Sequence, residues 1–137
     1  LSQAVSVWLF ILEKNRSKQT MNTITIENKD YTLTYGFDFI RELDKRYSVS
    51  DGGVSFGFGV QHAVVDLQQK NPVILLDLIQ AATITERQKP SVKGIEAYVV
   101  EVAEKDQLDT LFEDFLSALR TQPLTKATVK RVEEATE

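Results

Sequence analysis

The stretch that decides the fold is M21-NTITIENKDYTLTYGFDFIRELDKR-Y47. Residues 22–27 alternate Thr23 and Thr25 with Ile24 and Ile26, a period of two that places one face of a strand against a core. Asn28, Lys29 and Asp30 form a turn-like cluster, and residues 31–35 alternate again. Tyr31, Leu33 and Tyr35 thus share a side with Ile24 and Ile26. Two strands alone are marginal in water, so this hairpin requires helices against its apolar face. The first follows at once: from Gly36 to Tyr47 the spacing becomes helical, with Phe39, Ile40, Leu43 and Tyr47 as the apolar stripe and Glu42 and Arg46 as an i,i+4 pair.

Working outward, residues 48–59 (SVSDGGVSFGFG) hold four of the six glycines and are expected to form a loop. Val60, Val64 and Leu67 mark a helix to about Lys70. Asn71-Pro72 is a helix start, and residues 73–83 (VILLDLIQAAT) are apolar on most sides, the pattern of a central buried helix. Lys89-Pro90-Ser91 breaks the chain and caps a helix through Ile95, Val99 and Val102. Asp106 is expected to cap the next, in which Leu108, Leu111, Phe112, Phe115, Leu116 and Leu119 repeat at i, i+3, i+4 until Pro123. Residues 126–137 are thin in apolar side chains and are expected to form a weak helix or a frayed tail. The predicted class is α+β, mostly α: an N-terminal hairpin followed by four or five helices.

Upstream of Met21, the only methionine, the text differs: apolar residues from Ala4 to Leu12, then EKNRSKQT. Residues 1–20 are expected to be an upstream or non-native leader with helical potential, its face made by Val5, Trp8, Leu9 and Leu12. The stretch is too short to span a bilayer. Its positive charges follow the apolar run instead of preceding it, unlike a secretory signal. Residues 21–125 then form one domain.

Net charge is −4, and the leader contributes +2 through Lys14, Arg16 and Lys18 against Glu13, which leaves −6 on residues 21–137. A body of that sign is a poor match for phosphate backbones, so no nucleic-acid partner is expected. Absence of cysteine removes thiolate chemistry and disulfides. His62 is the lone histidine, and is read as a partly exposed helix residue, not a catalyst or metal ligand. Gly52, Gly53, Gly57 and Gly59 lack the Gly-Lys-Ser/Thr of a phosphate loop and the third glycine of a dinucleotide fingerprint. Glu101, Glu104, Asp106, Asp109, Glu113 and Asp114 spread around a helix junction in place of converging. No enzyme activity, cofactor or metal is expected.

Phe56 and Phe58, in a Gly/Ser-rich segment, are either pinned back onto the domain or displayed as anchors for another protein. Leu75, Leu78, Ile79, Leu111 and Phe115 belong to a surplus of apolar positions that serve either as core or as walls of a groove for an amphipathic helix. The same surplus points to self-association.

In order, MNTITIENKDYTLTYGFDFIRELDKRY, GVQHAVVDLQQKNPVILLDLIQAAT and KGIEAYVVEVAEKDQLDTLFEDFLSALRTQP resemble the tail assembly chaperones of long-tailed phages and prophages of Gram-positive bacteria. The resemblance covers about residues 21–125. It implies a non-catalytic factor in the host cytoplasm, absent from the mature virion, that binds the tape measure protein and tail tube subunits. The leader would then occupy a client's place. A structural virion component, such as a head–tail connector or tail-completion protein, is the alternative.

Overall fold

The computed structural model describes residues 21–136; the leader, with Val5, Trp8, Leu9 and Leu12, lies outside them. The chain is mostly helical with two small antiparallel hairpins. Strands β1 (Thr23–Ile26) and β2 (Lys29–Thr32) lead into helix α1 (Phe37–Arg46). Then come β3 (Ser48–Asp51), β4 (Val54–Gly57), α2 (Gly59–Gln68), α3 (Val73–Ala82), α4 (Val92–Glu104), α5 (Leu108–Thr121) and α6 (Lys126–Ala135).

The first hairpin pairs Ile24 with Tyr31 and Ile26 with Lys29. Its turn is one step earlier than the sequence predicts: Glu27 and Asn28 carry positive φ (53° and 63°), and Lys29 and Asp30 belong to the strand. That geometry matches the right-handed twist of a two-residue hairpin. Ile24, Ile26, Tyr31, Leu33 and Tyr35 are all buried, as the alternation requires. Thr34 N–H donates to Ala82 O at 2.9 Å, and Thr32 N–H to Glu86 Oε1 at 3.1 Å, so the hairpin is tied to the end of α3. Its turn rests on α4, where Glu27 Oε1 fills the space a Cβ on Gly94 would need, 2.6 Å away.

Helix α3 is the centre of the core. Ile74, Leu75, Leu78, Ile79, Ala81 and Ala82 are inaccessible to solvent because neighbouring elements cover it on several sides, including α1, α2 and α4. Asn71 Oδ1 accepts from Val73 N–H at 3.2 Å at its start, and Ser91 Oγ accepts from Gly94 N–H at 3.0 Å at the start of α4, both as the caps predict. Asp106 does not cap α5. It takes φ 56° at the α4–α5 junction, and Gln107 precedes the helix. The last helix, α6, packs on α2 and α5. Val129 is sealed, and Arg120 of α5 grips Glu133 with two hydrogen bonds of 3.0 and 2.9 Å. That fork holds the Glu133 carboxyl below its ordinary range.

Candidate functional site

The predicted loop at 48–59 is instead a second hairpin, β3–β4, between α1 and α2. Its signal was present in the sequence: Gly52-Gly53 stands between two stretches that alternate, Val49-Ser50-Asp51 and Val54-Ser55-Phe56. Both glycines have positive φ (58° and 82°), the conformation a two-residue turn demands.

Register sorts the side chains. Val49 is opposite Phe56 and Asp51 opposite Val54, while Ser48 is opposite Gly57 and Ser50 opposite Ser55. Directly opposed residues share a face, so one face carries Val49, Val54 and Phe56 with Asp51 at its turn end, and the other serines and a glycine. Phe58, whose N–H still bonds Tyr47 O at 2.9 Å, extends the apolar row by one step. None of the four is covered: Val49 is 56% exposed, Val54 53%, Phe56 50% and Phe58 44%. Of the two sequence readings for Phe56 and Phe58, display is therefore the geometry observed. Scattered exposed apolar residues are ordinary on any protein, but three in a row along one strand with a fourth across from them form a patch.

The arm's base is held tightly. Asp44 Oδ1 accepts from Gly59 N–H at 2.9 Å and so caps α2. A Cβ on Gly59 would lie 2.5 Å from the carbonyl carbon of Leu43 and 2.7 Å from Asp44 N, and one on Gly57 would overlap the Asp44 side chain. Only glycine lets the arm approach α1 this closely. The missing Gly57 side chain would point at α1, so the base of the serine–glycine face lies against that helix, while both faces are exposed along the rest of the arm.

Polar groups brace the joint. Arg46 bridges Glu42 at 3.3 Å and Asp77 at 3.0 Å, and the Tyr47 hydroxyl donates to Asp77. Burial first, then that hydrogen bond, raises the Tyr47 phenol well above its ordinary range, so it stays a donor at any physiological pH. His62 stacks on the Tyr47 ring with centroids 3.9 Å apart, and its Nε2 lies 2.9 Å from Asp66 Oδ2. The lone histidine is a partly exposed brace.

Leu75, Leu78, Ile79, Leu111 and Phe115 do not line an open groove. The first three and Phe115 are fully sealed, and Leu111 nearly so. An all-round apolar helix is equally well explained by neighbours on every side, and here α3 has them. Two surface depressions, of about 580 Å³ between α5 and α6 and about 430 Å³ beside the first turn and α4, are lined mostly by charged and polar side chains such as Arg120, Lys130 and Glu133, or Glu27, Glu101 and Lys105. Neither is walled by the leucines, isoleucine and phenylalanine that the sequence offers for a groove. Among the described residues no three His, Asp or Glu side chains gather to hold a metal, and no helix is long and apolar enough to cross a membrane.

A domain with a filled core and a displayed apolar arm is equipped for protein contact, and the family comparison agrees. A model of the phage tail assembly chaperone protein family matches residues 23–134. The chain belongs to that family. No curated protein and no solved structure matches it. The match takes in both hairpins of the chaperone and all six of its described helices nearly to the end of α6, beyond the 125 at which the sequence resemblance stops.

Proposed function

We propose that this chaperone acts without catalysis in the host cytoplasm, holding the tape measure protein and tail tube subunits during tail assembly and leaving before the virion is complete. Membership of the tail assembly chaperone family supports the general role. The observation that carries the binding part is the β3–β4 arm, whose Val49, Val54, Phe56 and Phe58 lie exposed side by side, while Leu75, Leu78, Ile79, Leu111 and Phe115 are consumed by the core. An interface of that size suits a client that must later be displaced, since small interfaces belong to transient encounters. Co-expression with the neighbouring tail genes tests it. A soluble complex with the tape measure protein or the tail tube protein, formed only when this chain is present, is the expected outcome. Finding the chain at stoichiometric level in purified virions by mass spectrometry would overturn it in favour of a structural component.

A further inference from the structure

We infer that the β3–β4 arm takes its client as an extended strand, by backbone pairing along a free edge together with packing on the Val/Phe face, and not as a helix. The inference rests on the chaperone reading above and specifies how that site works. A helix is normally received in a concave apolar groove, and the apolar residues that would wall one, Leu75, Leu78, Ile79 and Phe115, are sealed. Other exposed apolar side chains, Phe37, Val73, Val92, Val100 and Leu124, are spread over separate elements, whereas those of the arm share one two-stranded ribbon. The bonded pairs of its ladder run from Tyr47–Phe58 through Val49–Phe56 to Asp51–Val54. Alternation then turns the backbone groups of Ser48, Ser50, Ser55 and Gly57 outward. Nothing blunts those edges: Ser48 to Phe58 contains no proline, no lysine and a single charge, Asp51. A third strand would also relieve the marginal stability of two.

Area and charge decide among occupants. Two phenylalanines and two valines, each about half exposed, offer roughly 300 Å² of apolar surface. A stable homodimer needs about 800 Å² on each partner, so two arms meeting face to face fall short. A client strand adds backbone hydrogen bonds along its length and so needs less apolar contact. On a body of net charge −6 the arm is nearly neutral, which fits an uncharged or mildly basic segment with apolar side chains at every second position.

The complex co-expressed with the tail proteins provides the test. Phe56→Asp removes the face, whereas Ser50→Pro and Ser55→Pro each remove one outward N–H without touching a bonded pair; Val100→Ser, an exposed site on α4, is the control. Strand addition predicts at least a tenfold loss of captured client for Phe56→Asp and at least a fivefold loss for one of the two proline variants, with the control unchanged. It also predicts slowed amide exchange at 48–57 in the complex. Loss in Phe56→Asp with both prolines at wild-type capture would overturn strand addition in favour of face packing alone. Capture within twofold for all variants would clear the arm altogether while leaving the chaperone role intact. Protection of the outward amides of Ser48, Ser50, Ser55 or Gly57 already present in the isolated chain would assign the patch to a second copy if it grows with concentration, or to residues 1–20 if it does not, and either result overturns the inference. A wild-type chain that captures no tail protein removes the chaperone reading and this one with it.

Discussion

The two hairpins are built alike and used in opposite ways. Each has four-residue strands, a two-residue turn with positive φ at both positions, and one apolar face. In the first, Ile24, Ile26 and Tyr31 are buried and the turn rests on α4 through Glu27. In the second, all eight strand residues are exposed, and a Cβ on Gly52 or Gly53 would meet nothing within 4 Å. Hairpin sequence specifies the ribbon; what stands over its face decides whether that ribbon is core or handle.

The largest expected contrast comes from truncating the two apolar faces. Ile24→Ala removes a buried side chain and should cost about 3 kcal/mol in urea unfolding. Phe56→Ala should cost no more than about 1 kcal/mol, because half of its surface is already in water and it reaches no core residue. Equal costs would mean that the second hairpin is a packed element after all. Next, Gly59→Ala forces a methyl against the Leu43 backbone and should cost about 2 kcal/mol by the same measurement, since rigid backbone, unlike a side-chain tip, cannot swing aside.

A smaller effect separates the turns. Gly53→Ala places a Cβ at φ 82° and should cost about 1 kcal/mol, felt as faster amide exchange in 48–57 but not in 23–32. The smallest concerns neither hairpin and serves as a reference for acid behaviour. Arg120 lowers the Glu133 carboxyl, so the bond contributes above the ordinary carboxylate range and is lost as pH falls through the depressed value. Amide protection in α6, taken relative to the free-peptide exchange rate at each pH, should therefore fall below about pH 4, and Glu133→Gln should abolish that dependence. Asp114 on α5 has the opposite sign, its carboxyl raised by burial and by Glu113, so acid relieves it; a readout confined to α6 keeps the two apart.

Most of the helical framework was legible because each helix declares itself by local spacing and caps: Leu108 to Leu119 in α5, Ser91 before α4, Asn71 before α3. The first hairpin was legible for the same reason, apart from the turn. Lys29 and Asp30 have turn composition, but the twist needs positive φ in two consecutive residues, and Glu27-Asn28 supplies it. The second hairpin was hidden by its glycines, whose abundance argues for a loop as strongly as Gly52-Gly53 argues for a turn. The site was half legible. Phe56 and Phe58 stand out as aromatics in small-residue company, whereas Val49 and Val54 acquire meaning only through register. Periodicity could not tell groove from core for Leu75, Leu78 and Ile79, because an apolar residue looks the same whether its neighbour belongs to its own chain or to another.

Gly57 and Gly59 also set a boundary for change. Everything beyond them, from Ser48 to Phe56, hangs outside the sealed interior, and the clamp on α1 is made below it. Side chains there can be changed without opening the sealed interior, because no residue from Ser48 to Phe56 reaches it.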